Sequence, residues 1–173
     1  MKIAYNHIGT KKTINYVIFG LIFTFFSISA KAQENPPIPV QVEVNTAQNL
    51  NFGAFTTGIN GGTVIVNWNG NPTATGDVVL LGMGQTPALF DVTANPGTII
   101  TISSQPNIVL TGPAGTMLLN IDSYSTGQTF ITTANPPFDT NPVFVGGTLT
   151  VGNSSQSPPG QYNGSFTLTF IQQ

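Results

Sequence analysis

The stretch that decides the fold is residues 62–71, GTVIVNWNGN. Apolar and polar side chains alternate along it, so that Val64, Val66 and Trp68 fall on one face. Alternation with a period of two is typical of a β-strand with one buried face. The stretch ends in Asn69 and Gly70, a dipeptide that strongly favours a tight hairpin turn. The sequence therefore predicts a strand followed by a turn.

Similar short segments recur along the rest of the chain, separated by Gly, Pro and Asn. They are VQVEVN (40–45), LNFGAF (50–55), DVVLLG (77–82), ALFDVT (88–93), TIITISS (98–104), NIVL (107–110), TMLLNIDSY (116–124), TFITT (129–133), VGGTLTVG (145–152) and GSFTLTFI (164–171). No stretch keeps a helical period, so an all-β fold follows from the pattern. The spacing of the segments predicts about 8 to 10 antiparallel strands packed as two sheets.

The first 32 residues have the pattern of a secretory signal peptide. Lys2, Lys11 and Lys12 give a cationic start, residues 14–28 are almost entirely apolar, and cleavage is expected after Ala32. The alternative is a retained membrane anchor, but the apolar run is shorter than the roughly 20 residues that span a bilayer. We therefore predict a secreted protein of the periplasm, cell surface or extracellular space, with no membrane span after cleavage.

Cleavage would leave two parts with different character. Residues 33–45 form an extended, proline-rich leader and a first strand, and residues 46–173 form the β-sandwich domain. We expect the final strand, GSFTLTFI, to lie inside the protein's own sandwich, because its apolar residues fall on one face. The strand VQVEVN is the more plausible one to pair outside its own sheet.

The part from Gln33 onward has an unusual charge composition, because all 4 Lys and Arg residues and the single His lie before it. It carries 6 acidic side chains and no Cys, so its formal side-chain charge is −6. Nucleic-acid binding is excluded because it depends on cations that neutralise phosphates. The usual general base, the usual zinc ligands and the usual activators of Ser and Thr nucleophiles are also missing.

Two chemistries remain open on residue types alone. Glycoside hydrolysis needs only a pair of carboxyl groups, and calcium binding needs carboxylate and carbonyl oxygens. The acids are scattered singly through the sequence, which favours solvated carboxylates at turns and strand ends. We therefore predict that the protein is not an enzyme and has no catalytic residues, cofactor or metal site.

Three motifs together resemble a known family. LNFGAF (50–55), VGGTLTVG (145–152) and PGQYNGSFTLTFI (159–171) are similar to the secreted family of domain of unknown function 4402, DUF4402. That family looks like a relative of spore coat protein U and, more distantly, of pilin-type sandwiches. The resemblance implies a single immunoglobulin-like or pilin-like antiparallel β-sandwich and export from a diderm bacterium. It supplies no catalytic residues.

Two functional hypotheses follow, each with candidate residues. In the first, the chain is a structural subunit of a filament, coat or surface layer, and the strand containing Val40, Val42 and Val44 pairs with another copy or another surface protein. The alternative is an adhesin or carbohydrate-binding module, in which Trp68 and Tyr124 bind a glycan through their flat rings. Against this, both aromatics fit the core or its rim equally well.

Overall fold

The computed structural model describes residues 38–45, 47–82 and 84–173. The predicted signal peptide and the start of the leader, residues 33–37, lie outside the described residues. Within the described part no helix occurs, so none is long and apolar enough to cross a membrane.

Ten β-strands make up the described chain. They are β1 Gln41–Val44, β2 Phe55–Val66, β3 Pro72–Leu80, β4 Ala88–Thr93, β5 Ile99–Ser104, β6 Ile108–Thr111, β7 Thr116–Tyr124, β8 Thr129–Ile131, β9 Asn141–Val151 and β10 Leu168–Gln172. All pairings between them are antiparallel and form a sheet of seven strands and a sheet of three. The predicted all-β sandwich is confirmed.

Strand β9 is the centre of the larger sheet, because three other strands pair with it. Val145 pairs with both β4 and β7, and Gly147 pairs with both β2 and β7. Strands β4 and β2 therefore occupy the same edge of β9 one after the other, and β7 lies along the opposite edge. Strand β1 extends this sheet beyond β4, β3 extends it beyond β2, and β6 extends it beyond β7.

Two adjacent glycines of β9 make this arrangement possible. A Cβ on Gly146 would collide with the carbonyl oxygen of Val66, at the point where the edge passes from β4 to β2. A Cβ on Gly147 would approach the carbonyl oxygen of Asn120 on β7 to 2.5 Å. Glycine in a strand interior often marks such a close approach of another backbone.

The smaller sheet packs against the larger one through aromatic and aliphatic side chains. Its central strand is β5, which pairs with β8 on one side and β10 on the other, and buries Ile100 and Ile102 completely. The ring of Phe90 on β4 lies 5.9 Å from that of Phe170 on β10 and 6.3 Å from that of Phe166. Each such pair contributes about 0.5–1.5 kcal/mol beyond the area it buries. The C-terminal strand therefore belongs to the protein's own sandwich, as predicted.

Strand positions agree well with the sequence pattern, but several boundaries do not: β3 begins at Pro72 rather than Asp77, and β9 begins at Asn141 rather than Val145. The turn at Asn69 and Gly70 lies between β2 and β3 as predicted, with the Gly70 amide donating to Asn67 O at 2.9 Å. Strand β2, however, begins at Phe55 rather than near Gly62, because a bulge between Thr57 and Gly62 lets the strand continue past its glycines. Strand β10 begins only at Leu168, so residues 164–167, which the pattern placed in this strand, lie before it.

Replacement of Gly146 by Ala tests the role of the glycine pair. Because the added methyl group meets main-chain atoms that cannot rotate away, we expect the free energy of unfolding to fall by about 3 kcal/mol. Thr150→Ala is the control, since Thr150 is exposed on the same strand and should change stability by less than about 0.5 kcal/mol. Urea unfolding followed by circular dichroism measures both, and equal stability of the two variants would contradict this account.

Candidate functional site

A groove of ≈ 770 Å³ opens on one side of the sandwich, between two segments from opposite ends of the domain. Residues 49–57 form its first wall, and residues 158–164 with Phe166 form its second wall. These walls contain the motifs LNFGAF and PGQYNGSF, which therefore face each other across the groove.

The first wall has an unpaired main-chain edge. It is anchored where Asn51 and Thr86 exchange main-chain hydrogen bonds of 2.8 and 3.0 Å, and the side chain of Phe52 is buried beneath it. Strand β2 pairs with β3 from Phe55 onward, but its pairing with β9 starts only at Gly62. Within the described chain, residues 55–57 therefore have no strand partner on the side of β9, where only the Thr57 hydroxyl is bonded, to Gly152 O at 3.0 Å. Residues 58–61 form the bulge, in which the Asn60 amide donates to Asp77 Oδ2.

The second wall is also weakly tied by its main chain. Asn163 exchanges hydrogen bonds of 2.8 and 3.0 Å with Thr111, next to the end of β6. Among the described residues of the segment 158–166, it is the only one with main-chain bonds to another segment. The Tyr162 hydroxyl donates to Pro158 O at 2.8 Å, and its ring occupies the space beside Gly112. The wall is thus shaped by side chains while most of its main-chain groups stay unpaired.

The floor between the walls is apolar. It consists of Leu110, Met117, Leu119 and Leu149, of which all but Leu110 are buried. No Asp, Glu, Lys, Arg or His lies among the described residues that line the groove. A neutral apolar floor flanked by unpaired main-chain groups suits an extended peptide better than an ion or a charged metabolite.

The candidate assembly strand is paired inside its own sheet. Strand β1 lies at the edge of the larger sheet, where Val42 is opposite Val92 and Val44 is opposite Phe90 of β4. Val40 is half-buried against the core, whereas Val42 is 38% exposed. Strand β1 is thus attached on one edge only and lightly covered.

Trp68 and Tyr124, the two candidate sugar-binding aromatics, belong to neighbouring parts of the fold but differ in exposure. The amide of Trp68 donates to Ser123 Oγ at 2.9 Å, which places the turn after β2 beside the end of β7. Trp68 is 44% exposed. Tyr124 instead packs against the core, with its hydroxyl 3.4 Å from Ile121 O. Neither residue lines the groove, and Trp68 is the one whose ring is available at the surface.

Three of the carboxylates that the structure describes bond to neighbouring polar groups, and Glu43 and Asp91 lie opposite each other on the paired strands β1 and β4. Asp77 Oδ2 accepts hydrogen bonds from the amide and side chain of Asn60, Asp91 accepts one from Thr140, and Asp122 accepts one from Thr148. In the part of the chain that is described, no three acidic side chains cluster as a metal site would require.

The comparison with protein families agrees with the motifs that form the groove. The model of the family described as "Domain of unknown function (DUF4402)" matches residues 42–171. The chain belongs to the DUF4402 family. The match takes in all of β2 to β9 and both walls of the groove, so the groove belongs to the part of this DUF4402 chain that defines its family. No curated protein and no solved structure matches the sequence.

Amide hydrogen exchange of unassembled protein tests whether the groove edge is open. We expect amides of residues 55–57 that point away from β3 to exchange at least about tenfold faster than amides of residues 62–66, which have a strand on both sides. Both groups belong to the same strand, so each serves as the reference for the other. Equal protection along the whole of β2 would show that the edge is already covered.

Proposed function

We propose that this DUF4402 protein is a secreted, non-catalytic structural subunit that assembles at the bacterial surface by pairing strand edges. The observation that carries the proposal is the uncharged open edge of β2 at residues 55–57, beside an apolar groove. Exposed edges of this kind pair readily with other chains unless something blocks them. The proposal includes export by the predicted signal peptide and a relationship to spore coat protein U and pilin-like sandwiches.

The composition of the chain supports this proposal. Proteins that must stay monomeric commonly place Lys, Pro or inward-pointing charges on exposed strand edges. From Gln33 onward this chain has no Lys or Arg, and neither residues 55–61 nor β10 carries a charged side chain. The chain therefore lacks the most common electrostatic barrier to edge pairing at these positions.

The outer face of the larger sheet supports assembly in a second way. A row of neutral side chains crosses five neighbouring strands in register: Val109, Leu118, Thr150, Thr63 and Thr75. The hydroxyls of Thr63 and Thr75 are 2.7 Å apart, and Val109 and Leu118 are 49% and 42% exposed. Along this row another copy can approach without the desolvation of charges, and Asp122, a carboxylate on the same face, accepts a hydrogen bond from Thr148.

A matched pair of lysine substitutions tests the proposal. The chain from Gln33 onward should form oligomers or fibres whose size increases with concentration, as seen by light scattering and electron microscopy. Thr56→Lys places a cation on the open edge and should raise the concentration needed for assembly at least about tenfold. Thr133→Lys introduces the same charge at an exposed site outside the larger sheet and outside the groove lining, and should assemble like the unchanged chain.

The outcome can contradict the proposal in two ways. If the unchanged chain remains a monomer at all concentrations, the subunit function is wrong. If both lysine variants assemble equally well or equally poorly, assembly does not depend on the open edge of β2.

A further inference from the structure

We propose that the groove accepts residues 38–44 of a second copy of the chain, which insert as an additional strand between its two walls. This inference rests on the proposed assembly function and names the contact through which it takes place. Three features lead to it: the open main-chain edges of the walls, the neutral apolar floor, and the light attachment of β1 to its own sheet.

The main-chain edges indicate that the occupant is a polypeptide strand. Residues 55–57 lack a strand partner on one side, and among the described residues of the segment 158–166 Asn163 is the only one that has main-chain bonds to another segment. A lipid or hydrocarbon could cover the apolar floor, but it would leave these N–H and C=O groups without partners. An extended peptide covers the floor with alternate side chains and pairs with the walls through its own main chain.

The sequence of residues 38–44, IPVQVEV, has the required pattern. Ile38, Val40, Val42 and Val44 recur with a period of two, so an extended strand presents them on one face. Gln41 and Glu43 fall on the other face, which would stay in contact with water. The single acidic group of the segment is thereby kept away from the uncharged floor.

Strand β1 can leave its own sheet without disturbing another strand. It is the first strand described, and it pairs with β4 alone. The chain turns directly after it, where the Gln48 amide donates to Asn45 O at 3.1 Å. This turn is itself held on β4, because the Asn45 amide donates to Leu89 O at 3.0 Å and the Leu89 amide donates to Gln48 O at 3.1 Å, so only the residues before Asn45 would have to move. Strands β3, β6 and β8 also have only one paired edge, but each is joined to other strands at both of its ends and could not leave alone. Strand β10 is held by the packing of Phe170 on Phe90.

In the groove of a second copy, β1 would have main-chain partners on both edges, whereas in its own sheet it has them on one edge. In its own sheet β1 has one paired edge, and Gln41, Val42 and Glu43 remain exposed. In the groove it would have a wall on both sides and a floor of buried aliphatic side chains. The exchange uncovers Val92, which is fully buried in the described structure, so it is favourable only if the groove supplies the larger contact.

The absence of cysteine from the chain makes a direct cross-linking test possible. The acceptor is Thr56→Cys, an exposed position on the first wall. The donors are Gln41→Cys and Glu43→Cys, which are exposed and fall on the outward face of the inserted strand. Side chains directly opposite each other on neighbouring strands have Cβ atoms about 4.5–5.5 Å apart, close enough for a disulfide after slight adjustment.

Each donor chain is mixed with the acceptor chain and oxidised, and heterodimers are identified by a size tag on one partner. Thr150→Cys replaces Thr56→Cys as the control acceptor, because it is the same residue type, is also exposed, and lies on the opposite face of β9 from the groove-floor residue Leu149. We expect at least one donor to give at least about fivefold more heterodimer with Thr56→Cys than with Thr150→Cys. Only contact between two copies can produce this product, since each chain carries one cysteine.

The outcomes separate this inference from the proposed function. If the unchanged chain assembles but neither donor prefers Thr56→Cys, the subunit function stands and the groove contact is wrong. If the chain neither assembles nor cross-links selectively, both fail. Selective cross-linking that stops at dimers supports the groove contact and contradicts a filament or layer.

Discussion

The structure depends on the close approach of three strands to β9. Gly146 and Gly147 carry no side chain at the point where the backbones of β2 and β7 come nearest to it, and this allows β4 and β2 to share one edge. The larger sheet can therefore extend in three directions from one strand. Without this glycine pair, one of the neighbouring strands would have to move outward, and the core valines on β2 and β9 would lose contact.

The same arrangement creates the groove. Because the first half of β9 is used by β4, only its second half is available to β2, and β9 ends at Val151. The first half of β2 consequently extends past the end of β9 with one edge uncovered. The C-terminal segment passes on the far side, bonded to Thr111 through Asn163, before it joins β5 as β10. The uncovered edge of β2 thus follows from the pairing of β9 with β4 along its first half and with β2 along its second half.

Much of the fold could be predicted from the sequence because period-two alternation reports which face of a strand is buried. The pattern gave β7 its observed bounds and identified the buried positions Val64 and Val66. It failed at residues 55–61, where glycines that resemble a turn form a bulge inside a continuous strand. Alternation does not report which strand lies beside which, so the shared edge of β9 and the groove could not be deduced from it.

The sequence indicated the separate parts of the candidate site but not how the fold brings them together. LNFGAF and PGQYNGSF were recognised as family motifs, yet nothing in either motif indicates that they face each other across an apolar floor. Trp68 and Tyr124 were chosen as a pair for their aromatic rings, and the fold places only Trp68 with its ring well exposed. That Tyr124 is half-buried and Trp68 is exposed depends on tertiary packing, which a single sequence does not contain.

The central claim is that the open edge of β2 becomes paired when copies of the chain associate. Amide hydrogen exchange of the same preparation, before and after assembly, measures this most directly. The account predicts that protection rises at residues 55–57 on assembly, while residues 62–66, already paired on both sides, change little. If residues 55–57 exchange as fast in the assembled protein as in the free chain, the edge takes no part in association and the account is contradicted.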